Sequence, residues 1–231
     1  MKTAFTRKNF IEKPFSLPPE MSYEFKLLGL EEGEIYCIGE VNEEMAEYVQ
    51  EGLLYIQSKS PPGQPFPPVT VIITSNGGDE FSGLQIHDSL MLYGLRGEVT
   101  GVVIGKAFSA ASMLILQGCK HRIATENASI MCHNGTFIMS FTRKDFEDPE
   151  WQEKIRRDFA RSDERVINIL RNRTARSPAE IKKLLKREEF LSAREAKEFG
   201  LIDNIWCFKI SNNKIPAKEK PQAKKKEAKE S

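Results

Sequence analysis

The sequence predicts an α/β protein built on a parallel sheet, and three observations carry that prediction. Apolar, β-branched runs that read as buried strands recur at 35–39, 69–74 and 99–104. Segments with helical spacing lie between them, at 42–54 and at about 81–93. Strand–helix–strand repeats in that order close through right-handed crossovers into a parallel sheet. The 231 residues, 40% hydrophobic and 29% charged, leave room for one large folded domain or two small ones.

Composition excludes several classes. No apolar run approaches the ~20 residues that span a bilayer, and residues 1–16 carry charge without an apolar signal core, so a cytoplasmic protein is expected. Cys37, Cys119, Cys132 and Cys207 are widely spread and form no C-x-x-C pair, which argues against a zinc site or a disulfide framework and for reduced thiols. The net charge of +1 hides an asymmetry: seven Lys and three Glu in residues 214–231 give +4, leaving −3 for residues 1–213. The basic tail, 208–231, reads as disordered and solubilising rather than as a specific nucleic-acid site.

In chain order, residues 1–30 scatter Phe5, Phe10, Phe15, Tyr23 and Phe25 among prolines and charges without clean periodicity, an irregular arm that would dock on another subunit. Asn42 caps the first helix, with Met45, Val49, Leu53 and Leu54 on one face. A Pro/Gly-rich loop at 61–68 breaks the chain before the second strand, which ends at Ser75-Asn76-Gly77-Gly78. The third strand leads through Gly105-Lys106-Ala107-Phe108 to Ser109, and a buried helix starts there. Two shorter strands follow, 122–125 and 129–133, and then a charged loop. Asp148-Pro149 opens a long amphipathic helix to about 174, with Ile155, Phe159, Val166, Ile169 and Leu170 as its apolar stripe. At about 40 Å, that helix is too long to be covered by its own domain, so its stripe predicts an interface. Capping boxes at Ser177 and Ser192 open two further helices, Gly200 ends the second, and 201–206 forms a last strand.

Chemistry concentrates at Ser109. A serine where a strand turns into a helix has unpaired N–H groups and a positive dipole end beside it, which suits a nucleophile whose intermediate is an oxyanion. The plain alternative is an N-cap. Gly77-Gly78 ends a neighbouring strand, and ligands bind outside the carboxyl ends of such strands. The chain has three histidines. His87 falls in a helix and His121 in a charged turn, whereas His133 ends a strand before Asn134-Gly135, the place for a general base. Several carboxylates could orient it, and periodicity does not choose among them.

Taken together, these motifs resemble the proteolytic subunit of the Clp protease, a serine peptidase of the ClpP/crotonase fold. Ser75-Asn76-Gly77-Gly78 is similar to the family's Ser-Pro-Gly-Gly turn, and Gly105-Lys106-Ala107-Phe108-Ser109 to Gly-Gln-Ala-Ala-Ser. Asn127-Ala128-Ser129-Ile130-Met131-Cys132-His133 is similar to Asn-Ser-Arg-Val-Met-Ile-His, and Phe190-Leu191-Ser192-Ala193 with 195–203 to the family's closing run. The resemblance covers about 30–207, and the chain divides accordingly into an arm (1–30), a peptidase domain (31–207) and a tail (208–231). It implies a ββα superhelix of repeated β-α-β units with a projecting handle helix.

It also implies Ser109 as nucleophile, His133 as base, and Gly78 and Ala110 as the oxyanion donors, with no metal or organic cofactor. The orienting Asp falls two residues before the Phe of Phe-Leu-Ser, where this chain has Glu188, a departure that demands a shifted backbone. Asp145 and Asp148 are the next carboxylates to consider, Ser112 is the nucleophile if the register slips, and Cys132 matches an apolar position. The implied activity is endoproteolysis of unfolded protein inside a homo-oligomer of heptameric rings fed by an AAA+ ATPase. The segment 134–148 is longer and more charged than the family's glycine-rich strand, and the arm differs from its axial loops. Those departures admit a catalytically weak structural subunit or a phage-type procapsid maturation protease. An acyl-CoA enzyme of the crotonase type is disfavoured by the pairing of Ser109 with His133.

Overall fold

A computed structural model of the chain describes residues 19–135 and 140–208. Phe5, Phe10, Phe15 and the basic tail beyond 208 lie outside the described residues. Among the described residues seven strands form one sheet, whose main path β1 (Glu34–Val41), β2 (Val69–Gly78), β3 (Val99–Phe108), β4 (His121–Thr125) and β7 (Asn204–Trp206) is parallel throughout. The mixed α/β fold with a parallel sheet is the predicted class.

The arrangement that positions the site is a fork in β3. Its first half, Thr100 to Val103, pairs with β4; its second, Lys106 to Phe108, pairs with β5 (Ser129–Met131). β5 in turn pairs antiparallel with β6 (Phe190–Ser192), Met131 opposite Phe190. Because β3 and β5 run parallel and Phe108 faces Met131 in register, the residues after each strand emerge side by side. Ser109 follows the first and His133 follows the second by two residues.

The helices follow their caps. Asn42 accepts from Met45 N–H (2.9 Å) at the start of α2 (Glu43–Ser58), and Asp79 from Ser82 N–H (2.7 Å) at the start of α3 (Glu80–Gly94). α1 (Pro19–Glu31) packs on β1 and α2, so part of the arm that lacks periodicity is helical. The last strand is shorter than predicted, three residues rather than six, because 201–203 serves instead to close a polar clamp (below). Past Ser109 the chain does not enter an ordinary α-helix. A π-helical turn, Ala111–Ile115, comes first and runs into the short α4 (Leu116–Gly118).

Within 134–148, read from sequence as a loop, Thr142 and Asp145 form a capping box around the short α5 (Arg143–Glu147). The long helix α6 (Pro149–Thr174) starts at its Asp148 cap as expected and ends at Ala175 in the left-handed conformation. Its stripe divides. Val166 and Leu170 are buried against the chain's own core and α7 (Pro178–Arg187), whereas Ile155, Phe159 and Ile169 are only part-buried, and Ile167, outside the predicted stripe, is buried as well. α8 (Ala193–Phe199) follows the Ser192 capping box and ends at Gly200. Leu54 departs from prediction: it lies off the core-facing stripe of α2 and is exposed, while Ile56 takes the buried place. Among the described residues no helix is long and apolar enough to cross a membrane.

An ion pair between a buried arginine and a part-exposed aspartate closes the fold. Arg122 on β4, 5% exposed, donates through Nη2 to Asp203 Oδ1 (2.5 Å), through Nε to Oδ2 (3.2 Å) and through its backbone N–H to Oδ2 (2.8 Å). Asp203 N–H returns a bond to Arg122 O (2.7 Å). Burial alone would raise the Asp203 carboxyl, but these bonds and the Arg122 charge outweigh it and hold it below the usual value. A carboxyl depressed in the folded state stabilises the fold above its unfolded pKa of about 4 and loses that contribution as pH falls through the folded value. Asp203→Asn is therefore expected to lower the thermal unfolding midpoint at pH 7 and to flatten its decline below about pH 4. Circular dichroism melts over a pH series check this; curves parallel to wild type at all pH values would contradict it.

Candidate active site

The site lies where the carboxyl ends of β2, β3 and β5 converge. Ser109 stands at the end of β3 with φ 53°, in the left-handed region that costs a residue with a side chain about 1–3 kcal/mol. The strain is held from two sides. Ser109 N–H donates to Met131 O (2.9 Å), the last residue of β5. On the other side Gly77, φ 93°, presses against the turn so closely that a Cβ on it would stand 2.6 Å from Ser109 Cβ and 3.0 Å from Ala110 N. Gly77 N–H is in turn taken by the buried Ser75 hydroxyl (3.0 Å). Asn76, where the resembled turn has Pro, lines the cleft.

His133 Nε2 lies 2.7 Å from Ser109 Oγ, the distance of a nucleophile and its base. The two come together because their strands are register neighbours, which the separation of 24 positions conceals. Gly78 and Ala110 line the same cleft. Ala110 N–H belongs to the first turn after Ser109, where the helix itself supplies no acceptor. Gly78, φ 153°, has its Cα packed on β1: a Cβ there would meet Val41 O at 2.2 Å.

The cleft encloses about 400 Å³ between the Ser109 turn, the start of α3 and the middle of α6. Met113, Leu114, Val166 and Leu185 give it an apolar side, and Asp79, Glu80 and Asp163 an acidic one. Ser162 and Arg165 of α6 both donate to Glu80, Arg165 at 3.1 Å, and so fasten the long helix to the first turn of α3. Sequence reading missed this side. Ser162 and Asp163 stand four and three residues before Val166, which puts them near its face of the helix, but nothing in the sequence says that the stripe borders Ser109.

Glu188 is placed differently from the pair. The β5–β6 register, carried two residues beyond Met131 and Phe190, leads to His133 and Glu188. Glu188 itself ends α7 in the left-handed conformation, φ 51°, with its side chain exposed. Among the described residues no hydrogen bond joins its carboxylate to His133. Asp145 and Asp148 are engaged as helix caps, with Thr142 and with Glu150 N–H. His87 bonds to Asp88 and His121 to Glu98, away from the cleft. Ser112 is fully buried with its hydroxyl donated to backbone carbonyls, and the Cys132 thiol is pushed up to about 11, chiefly by burial. Neither is a nucleophile in this arrangement.

A serine strained at a strand–helix turn, a histidine at hydrogen-bond distance and a helix start in one cleft can activate a hydroxyl against an acyl carbon. The sequence model of the Clp protease family matches residues 20–208. The chain thus belongs to the Clp protease family, whose role is that of a peptidase.

Proposed function

We propose that this chain is a serine endopeptidase acting on unfolded polypeptide, working in an oligomeric ring supplied by an AAA+ ATPase. The observation that carries the reading is the 2.7 Å contact of Ser109 Oγ with His133 Nε2 in a cleft bordered by Gly78 and Ala110. In this mechanism Ser109 Oγ attacks the peptide carbonyl carbon as its proton passes to His133 Nε2. The oxyanion is received by the N–H groups of Gly78 and Ala110, each such donor being worth about 3–4 kcal/mol of barrier. His133 then gives the proton to the departing amine, and water repeats the sequence on the acyl-enzyme.

Glu188 is proposed to orient and charge-balance the imidazole, supported by the strand register that leads to His133 and Glu188 together. A second reading has its own observation. The exposed Glu188 carboxylate, unbonded to His133, fits a subunit of low intrinsic activity that serves the ring structurally. Oligomeric assembly is supported by the aromatic group at the head of α6. Phe141 and Phe146 are more than half exposed and stack at 5.8 Å, with Trp151 5.6 Å from Phe141, a patch suited to burial against another subunit.

Three outcomes are expected. Ser109→Ala should fold and assemble as wild type yet lose fluorophosphonate labelling and at least about 10³-fold of its peptidase activity on unfolded casein. Wild type that takes no label would establish the structural-subunit reading instead. Glu188→Gln should lower kcat by about tenfold or more with KM within about twofold, since it removes charge needed only once the imidazolium forms. Unchanged kcat would exclude Glu188 from the mechanism. Phe146→Glu should split the oligomer seen by native mass spectrometry into smaller species, whereas a wild-type chain that cleaves peptides as a monomer would refute assembly and leave the Ser–His chemistry standing.

A further inference from the structure

Ser112 lies three residues past Ser109 inside the π-helical turn, fully buried and outside the cleft lining. Its hydroxyl hydrogen lies within reach of two carbonyls, Met131 O at 2.6 Å and Ser109 O at 2.9 Å. Met131 O is also the acceptor of Ser109 N–H. One carbonyl at the end of β5 therefore receives both the backbone of the strained turn and the side chain beneath it. His133 follows that carbonyl by two residues, so the same point anchors both partners of the Ser109–His133 bond.

Ser112 is itself held from below. Leu116 N–H reaches back five residues to Ala111 O, and this wider turn gives Ser112 O room for a side-chain donor. Gln117 Nε2 fills it at 2.8 Å, and the Gln117 side chain is wholly buried. Gln117 Oε1 accepts from Arg122 Nη1 (2.8 Å), which also donates to Gly200 O (2.9 Å), and Arg122 is clamped by Asp203. A continuous polar chain thus runs from the part-exposed Asp203 through the buried Arg122, Gln117 and Ser112 to the two carbonyls that frame the nucleophile. The Cys132 thiol, 3.5 Å from Ser112 Oγ, completes the surroundings of that hydroxyl.

We propose that Ser112 is a positioning residue for the peptidase reaction: its hydroxyl fixes the Ser109 turn to the strand that carries His133, with Gln117 setting its own orientation. This rests on the reading of Ser109 as nucleophile. Fully satisfied buried networks of this kind specify one geometry, and a shift of about 1 Å in a reacting group can cost on the order of 100-fold in rate.

The test is Ser112→Ala, with Gln117→Glu as a second variant that keeps the Arg122 contact but removes the donor to Ser112 O. Active sites are counted by fluorophosphonate titration, and kcat and KM are measured per titrated site. Both variants are expected to lose about 10-fold or more in kcat per site with KM within about twofold, and Ser112→Cys, a weaker donor, to recover part of the loss. Fewer titrated sites of undiminished kcat, the result of a purely structural role, would overturn the proposal. If wild type takes no label, the peptidase reading has failed, and positioning is then decided by the ¹⁵N resonances of the His133 ring. Those should move in Ser112→Ala if this hydroxyl sets the Ser109–His133 bond; identical spectra would refute it. Should Ser112→Ala not fold, Ser112→Cys and Gln117→Glu give the same readouts.

Discussion

The geometry of the site depends on one constrained residue. Ser109 must turn the chain from β3 into the helix with a positive φ, and no side-chain freedom relieves that. Its neighbours make the conformation the only one available. Gly77 leaves no volume on one side, Met131 O takes the N–H on the other, and the Ser112 hydroxyl binds Ser109 O from below. Strain of about 1–3 kcal/mol survives only where the surroundings over-determine it, and here they do so from three elements. The result directs Oγ out of the sheet edge to the imidazole rather than back to its own helix as a cap.

Everything around that turn acts to keep the elements from moving relative to one another. The fork in β3 makes β4 and β5 share one strand, so Ser109, His133 and the Arg122 clamp are fixed to the same piece of backbone. Glu80 serves the opposite wall: with Ser162 and Arg165 it ties α6 to the start of α3, while Val166, Ile167 and Leu170 bury that helix against the core. The cleft is therefore bounded by two fixed walls, the Ser109 turn and the junction of α3 with α6. Its lining mixes apolar side chains with carboxylates, of which Glu80 is balanced by Arg165 and Asp79 caps α3.

Much of this was legible in the sequence, and the reason is local. Asn42, Asp148, Ser177 and Ser192 satisfy orphan N–H groups within three residues of themselves, so helix starts depend on little beyond the nearby letters. The buried parallel strands and Ser109 at a strand–helix turn were legible for the same reason. What escaped depends on contacts distant in sequence. The three-residue β6 exists only because β5 offers an edge, and α1 is stabilised by β1 and α2 rather than by a periodicity of its own. The π-helical turn has no local signature, since the Gln117 side chain that occupies it is oriented by Arg122 and, through Gly200 and Asp203, by the far end of the domain. Ser109 and His133 could each be picked out as exceptional; that they touch required the register of β3 and β5.

Positive φ alone does not mark function in this chain. Ser109, Ala175 and Glu188 share almost the same value, 53°, 56° and 51°. Ala175 ends α6 with its N–H on Arg171 O, an ordinary helix termination that needs no further cause. Glu188 also terminates a helix, at an exposed position where a glycine would cost less, and it does so at the one place where the strand register leads to His133. Ser109 differs from both because it begins a helix instead of ending one. Its strain relieves no orphan carbonyl and is explained only by the direction it gives to Oγ. Glu188 stands between the two cases: helix termination accounts for its backbone, while its carboxylate is exposed to solvent.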